Sequence, residues 1–183
     1  MTEDEYKDAF DTESKQSEKN KIALEKAIDA KKFEIDLYWK KAAYFWTLIA
    51  ASFAGFLATI NSSSNEKDFI SFVIGCVGFF FTFSWYLSNR GSKYWQENWE
   101  NHIALLENGV IGPLHKTILH RPPEADLFEK YLTGPLPASS SKINQWTGFF
   151  TILVWITLIA TSLPEFNANS TISFRHVFVG FLL

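Results

Sequence analysis

Residues 42–61, 69–87 and 146–164 contain no Asp, Glu, Lys or Arg. A run of 19 or 20 residues spans about 30 Å as an α-helix, which is the thickness of the hydrocarbon core of a bilayer. A soluble helix of that length has a wet face and carries charge on it. The chain is 20% charged with a net charge of −3, so its averages look ordinary and the segregation shows only along the sequence. Aromatic residues reach 17%, as suits spans and interfacial belts. The expected fold is an all-α membrane protein: a transmembrane helical hairpin (42–61 and 69–87), a third span (146–164), and long helical extensions on the cytoplasmic side.

The first forty residues are polar and acidic, so the first apolar run comes too late for a cleaved leader and reads as a retained span. Nine Lys precede Ala42, and residues 88–145 hold six more Lys and Arg, together fifteen of the seventeen basic residues. Only Lys67 and Arg175 fall on the other side. The excess of basic residues predicts that the N-terminus and the long loop face the cytoplasm. Tyr38, Trp39, Tyr44 and Trp46, with Lys40 and Lys41, surround the first membrane entry. Trp85 and Tyr86 mark the second exit, and Trp146 opens the third span. Tyr and Trp favour headgroup depth, where one edge is apolar and the other wet.

Outside the runs the chain divides into a cytoplasmic tail and amphipathic helix (1–41), a cytoplasmic helical region (88–145) and a far-side C-terminal segment (165–183). Residues 1–19 read as flexible. Leu24, Ile28, Ile35 and Tyr38 recur at helical spacing, which predicts one helix running from about Asn20 into the first span. Beyond the second span, Leu87, Trp95, Trp99, His102, Ile103 and Leu106 repeat near period 3.6. Asn108-Gly109 offers a helix stop and Gly112-Pro113 a turn. Pro122-Pro123 and Gly134-Pro135 bracket a short helix within 109–141, and Ser139-Ser140-Ser141 offers caps for the third span. The apolar end, His176 to Leu183, is too short to cross: it either packs on the far side or begins a fourth span.

Small residues mark the hairpin. Ala50, Ala54 and Ala58 are spaced by four, as are Ala51 and Gly55, and Ser71 and Gly75 repeat that spacing. Such spacing lets helix backbones approach closely in lipid. Packing within the hairpin accounts for one face of the first span, and the second face suggests another subunit. The hydroxyls Ser52, Thr59, Ser71, Thr82 and Ser84 either line a path or bond their own backbone, and the second reading is favoured. Nothing points to catalysis or to a metal: GxSxG, P-loop and HExxH motifs are absent, and His115 and His120 do not share a helical face. Cys76 is alone. No cofactor is expected, nor nucleic acid, because acidic residues interleave the basic ones and the pI is about 5.8. Anionic lipid is a candidate partner, with Lys31, Lys32, Lys40 and Lys41 the first candidates to meet it.

Two stretches carry a resemblance: Tyr38-Trp-Lys-Lys-Ala-Ala-Tyr-Phe-Trp46, and Asn89-Arg-Gly-Ser-Lys-Tyr-Trp-Gln-Glu-Asn-Trp-Glu-Asn-His102. With the hairpin between them they resemble the RipA family of small octameric bacterial membrane proteins. In layout alone the chain is similar to the accessory membrane protein of type VI-B CRISPR systems. The resemblance implies a homo-oligomeric ring of eight in a bacterial cytoplasmic (inner) membrane. The leading expectation is a non-enzymatic ring that forms or gates a pore, with Arg90, Lys93, Tyr94, Trp95 and Trp99 at the subunit contacts or the gate. The alternative is a membrane-anchored scaffold that recruits cytoplasmic protein partners in stress, envelope or defence pathways and conducts nothing.

Overall fold

A computed structural model describes residues 4, 18–118, 138–163 and 180. The described residues form three helices and no strand: α1 (Glu18–Ile60), α2 (Lys67–Val110) and α3 (Ser140–Thr161). Each is long and apolar enough to cross a membrane. The charge-free runs occupy the second half of α1, the first half of α2 and most of α3. The short helix expected between residues 122 and 135, the flexibility expected before Glu18 and the apolar C-terminal end fall outside the described residues, apart from positions 4 and 180.

The ends of the helices explain why they stop. At the close of α1 the Asn61 amide and backbone N–H both reach Leu57 O, at 2.8 and 3.4 Å, and the Ser62 hydroxyl donates to Thr59 O at 2.8 Å. These bonds satisfy carbonyls that have no partner further along the helix. Ser64 then accepts the Glu66 N–H at 3.2 Å, and Asp68 places a carboxylate in the first turn of α2.

α2 continues through the stop expected at Asn108-Gly109. Gly109 adopts helical backbone at a cost of about 1 kcal/mol, and the burial of Leu106 and the packing of Val110 offset it. The helix ends where Gly112 turns left-handed, at φ +79°, and Ile111 N–H and Gly112 N–H both donate to Glu107 O at 2.9 and 2.8 Å. α3 begins at Ser140, six residues before Trp146, so its first turns carry Lys142.

The described residues pack as two units. In the first, drawn from Met1–Tyr38 and Gly91–Ser140, Leu24 and Ala27 of α1 meet Ile103 and Leu106 of α2. Ala23, Ile28, Trp99, Leu105 and Val110 close over that cluster, and Lys31 pairs with Glu100 at 3.4 Å beside it. Both stripes lie on continuous helices, as their period predicts, and they are partly buried within the chain. Leu24, Tyr38, Ile103 and Leu106 are buried, but Ile35 and Trp95 are exposed. In the second unit, drawn from Trp39–Arg90 and Ser141–Leu183, Ile49, Phe56, Phe72, Trp85, Ile152 and Trp155 are buried among the three helices.

Candidate functional site

Trp155 of α3 is the centre of the second unit. It is fully buried, stacks on Phe53 at 4.1 Å and meets the edge of Phe56 at 6.2 Å, both on α1. Its far side lies on α2 where Gly78 has no side chain, and a Cβ there would overlap the indole Cζ2. One turn away a Cβ at Gly75 would stand 3.0 Å from Ile159 Cγ1, so α2 and α3 are in close contact over two glycines. The small-residue spacing in the sequence points to Gly75 but not to Gly78 or Trp155. The available signal was a large aromatic on one span and two glycines three residues apart on another.

The hydroxyls of the spans are turned onto their own helices. Ser52 donates to Leu48 O at 2.9 Å, Thr59 to Gly55 O at 2.9 Å and Thr82 to Gly78 O at 2.8 Å. Back-bonding of this kind satisfies the hydroxyl proton within the helix and lowers the cost of the group in lipid. Ser71 Oγ is buried with no partner among the described residues.

The small residues separate into two faces. Gly55 faces Ile74 of α2, 3.7 Å from where its Cβ would stand, and Ser71 is buried. Ala50, Ala54 and Ala58 point outward and are exposed on α1. This face is one that packing among the described residues leaves uncovered.

The five assembly or gate candidates do not come together. Arg90 is exposed, with its guanidinium carbon 5.8 Å from the Tyr86 ring centre. Lys93 pairs with Glu97 at 3.4 Å. Tyr94 and Trp95 meet edge to face at 5.5 Å and are 66% and 51% exposed. Trp99 is half-buried: it packs on the Leu24 cluster, with its ring 5.4 Å from that of His102. Trp99 therefore belongs to the interior of its own unit, while Tyr94 and Trp95 are presented outward.

Among the proposed interfacial anchors, Trp39, Lys40 and Trp146 are exposed, and Lys41 and Trp46 are half-exposed. Tyr38 and Trp85 are not surface anchors. Tyr38 is 4% exposed, and Trp85 is fully buried beside Phe45 (5.8 Å) and close to Gly148. An aromatic at a span boundary can face the neighbouring helix as readily as the lipid, and position along the chain does not separate the two.

At the end of α2, Glu107 is fully buried and its Oε2 accepts the His115 backbone N–H at 2.7 Å and meets His115 Nδ1 at 3.0 Å. Burial raises the carboxyl pKa, but the two contacts from His115, its charge and the Lys116 N–H outweigh that and hold the group below the ordinary Glu value. This tie fixes the turn that follows α2, and the sequence reading did not foresee it. Among the described residues no three of His, Cys, Asp and Glu gather as metal ligands would.

A family model, the octameric membrane protein family (8xMP), matches residues 21–164. No curated protein and no solved structure gives a match.

Proposed function

The chain belongs to the octameric membrane protein family, and from that premise we propose that eight copies form a closed ring in a bacterial cytoplasmic membrane and alter its permeability. The observation that carries this reading is a pair of outward surfaces that one chain leaves uncovered: Ala50, Ala54 and Ala58 on the membrane part of α1, and Tyr94 with Trp95 on α2. Small residues suit close helix contact in lipid, and exposed aromatics outside the charge-free runs suit a subunit contact in water. The N-terminus and the region after residue 88 face the cytoplasm, because the basic residues gather there. The likeness to the RipA family belongs to this reading, as does the absence of enzymatic activity.

The hydroxyls bonded to their own helices favour an opening between subunits over one through a single chain. They also support the second reading, a ring that anchors cytoplasmic proteins and conducts nothing. Native mass spectrometry of the purified complex, followed by single-channel recording in planar bilayers, separates the possibilities. A mass of eight subunits with discrete conductance steps supports the pore. An intact octamer in silent bilayers supports the scaffold. A monomer or dimer in both detergent and nanodiscs rules out the ring.

A further inference from the structure

The membrane-embedded unit carries a groove along one side of the α2–α3 pair, polar at one end and apolar at the other. At the polar end a cavity of about 380 Å³ is lined by Tyr86, Lys142, Gln145, Trp146 and Phe149. Further along, a cavity of about 500 Å³ is lined by Cys76, Phe79, Phe80, Ile156, Ile159 and Leu163, among others. The helical period places both on one side. On α3, positions 142, 146, 149, 156 and 160 fall within one stripe at 100° per residue, and on α2 positions 76, 79, 80, 83, 86 and 90 do the same. The two cavities therefore lie along the same side of the α2–α3 pair. Seven residue steps along α3, from Phe149 to Ile156, separate their linings, about 10 Å along the helix.

The charge lies at one end. Lys142 lines the polar mouth and Arg90 stands over the Tyr86 ring at its rim. Neither has a carboxylate partner within ion-pair distance among the described residues. The first turn of α3 adds the positive end of its backbone dipole at the same level. Below it the groove holds no formal charge, since residues 69–87 and 146–164 contain none. Trp146 is 72% exposed beside the cationic mouth, at the end of the charge-free run where an indole sits at headgroup depth.

We propose that this groove binds an anionic phospholipid, with its phosphate between Arg90 and Lys142 and one acyl chain along Phe79, Phe80 and Ile156. A zwitterionic lipid would satisfy the apolar bed but would bring its own cation to a mouth that already has two. A neighbouring copy of this chain would have to bring carboxylates to both Arg90 and Lys142, and each of these would have to be desolvated with its cation. The site rests on insertion in a membrane and not on conduction, so it stands or falls apart from the pore.

The test uses the full chain purified into nanodiscs containing phosphatidylcholine with a minor fraction of phosphatidylglycerol, and counts retained lipid per subunit by native mass spectrometry. Arg90→Gln with Lys142→Gln is expected to lower retained phosphatidylglycerol roughly tenfold, and Ala160→Phe, which fills the apolar bed, lowers it as well. Lys40→Gln with Lys41→Gln, at the first membrane entry, leaves it within about twofold of the unsubstituted protein. Undiminished phosphatidylglycerol in the Arg90/Lys142 variant overturns the proposal, as does a loss that follows Lys40 and Lys41 instead. Ala160→Phe breaking the assembly while lipid retention persists would show that a second copy fills the groove, and also overturns it. Should the double variant fail to fold, the unsubstituted protein decides: retention must favour phosphatidylglycerol over phosphatidylcholine and weaken with salt, and equal retention of the two refutes the site.

Discussion

Gly78 and Glu107 show how much of this molecule depends on single positions. Gly78 leaves room for Trp155, whose indole is clamped between Phe53 on α1 and the bare backbone of α2. With Trp155 fully buried, a methyl group at position 78 forces the ring or the helix to move. Gly78→Ala is expected to destabilise by about 1–3 kcal/mol. In a cycle with Trp155→Phe the double variant should lose less than the sum of the singles, because the smaller ring gives way. Thermal unfolding of the four proteins in one detergent measures this, and strict additivity would count against the contact. Glu107 acts through charge. Its carboxyl pKa lies below the ordinary Glu value in the folded protein, so the contribution is present above the unfolded-state pKa and is lost as the pH falls through the folded-state value. Stability should therefore decline on acidification below about pH 4–5. Glu107→Gln, which keeps an acceptor but cannot titrate, should be less stable than the unsubstituted protein at pH 7 and flatter across the acid range. Parallel melting curves for the two would refute the role.

Among the elements, Gly91 within α2 and Gly112 just beyond its end, neither of which meets a neighbouring side chain, behave in opposite ways. Gly91 lies inside the helix with nothing within 4 Å of its missing Cβ, whereas Gly112 holds φ +79° at the helix end. Gly91→Ala should stabilise by about 0.5–1 kcal/mol, since alanine loses less backbone entropy in a helix. Gly112→Ala should cost about 1–2 kcal/mol through the left-handed backbone, and should fray the turn that carries His115 to Glu107. Hydrogen exchange over residues 103–118 is the measurement, and faster exchange in Gly91→Ala than in Gly112→Ala would contradict the assignment. The same contrast marks what sequence reasoning can reach. The spans are legible because charge is excluded from lipid whatever the tertiary structure. Gly109 and Gly112 are harder to tell apart, because a glycine stops a helix only if its φ turns positive, and the packing of Val110 on the Leu24 cluster decides that. Ile35, Tyr38, Trp85 and Trp95 are hard for a related reason. Helical period fixes which residues share a stripe, but it does not say whether the stripe meets another part of the chain, lipid or a neighbouring subunit.

For the whole molecule, the surfaces left open by one chain decide how copies meet. Tyr94, Trp95 and Phe33 are each more than half exposed on helix segments outside the charge-free runs, where water would surround them in an isolated chain. Ala50, Ala54 and Ala58 present a shallow face in the membrane part of α1 that α2 and α3 do not cover. On the reading proposed above, neighbouring copies would cover both surfaces. Trp99 is a different case, because it packs on Leu24, Ala27, Ile103 and Leu106 of its own chain. Truncating it should cost about 1–3 kcal/mol, less than the removal of a fully buried aromatic would, and any loss of assembly would follow from a damaged subunit. Trp95→Ala should leave the melting of the helices nearly unchanged while shifting the mass distribution towards smaller species. Ala54→Leu should do the same from within the membrane, by holding apart two helices that need small residues to touch. Native mass spectrometry paired with circular dichroism on the three variants separates the effects. Helicity lost with mass identifies a residue of the subunit interior, and mass lost with helicity intact identifies a subunit contact. If both Trp95→Ala and Ala54→Leu keep the unsubstituted mass, the ring must close through other surfaces, and the exposed aromatics of α2 would then be free to receive a cytoplasmic protein.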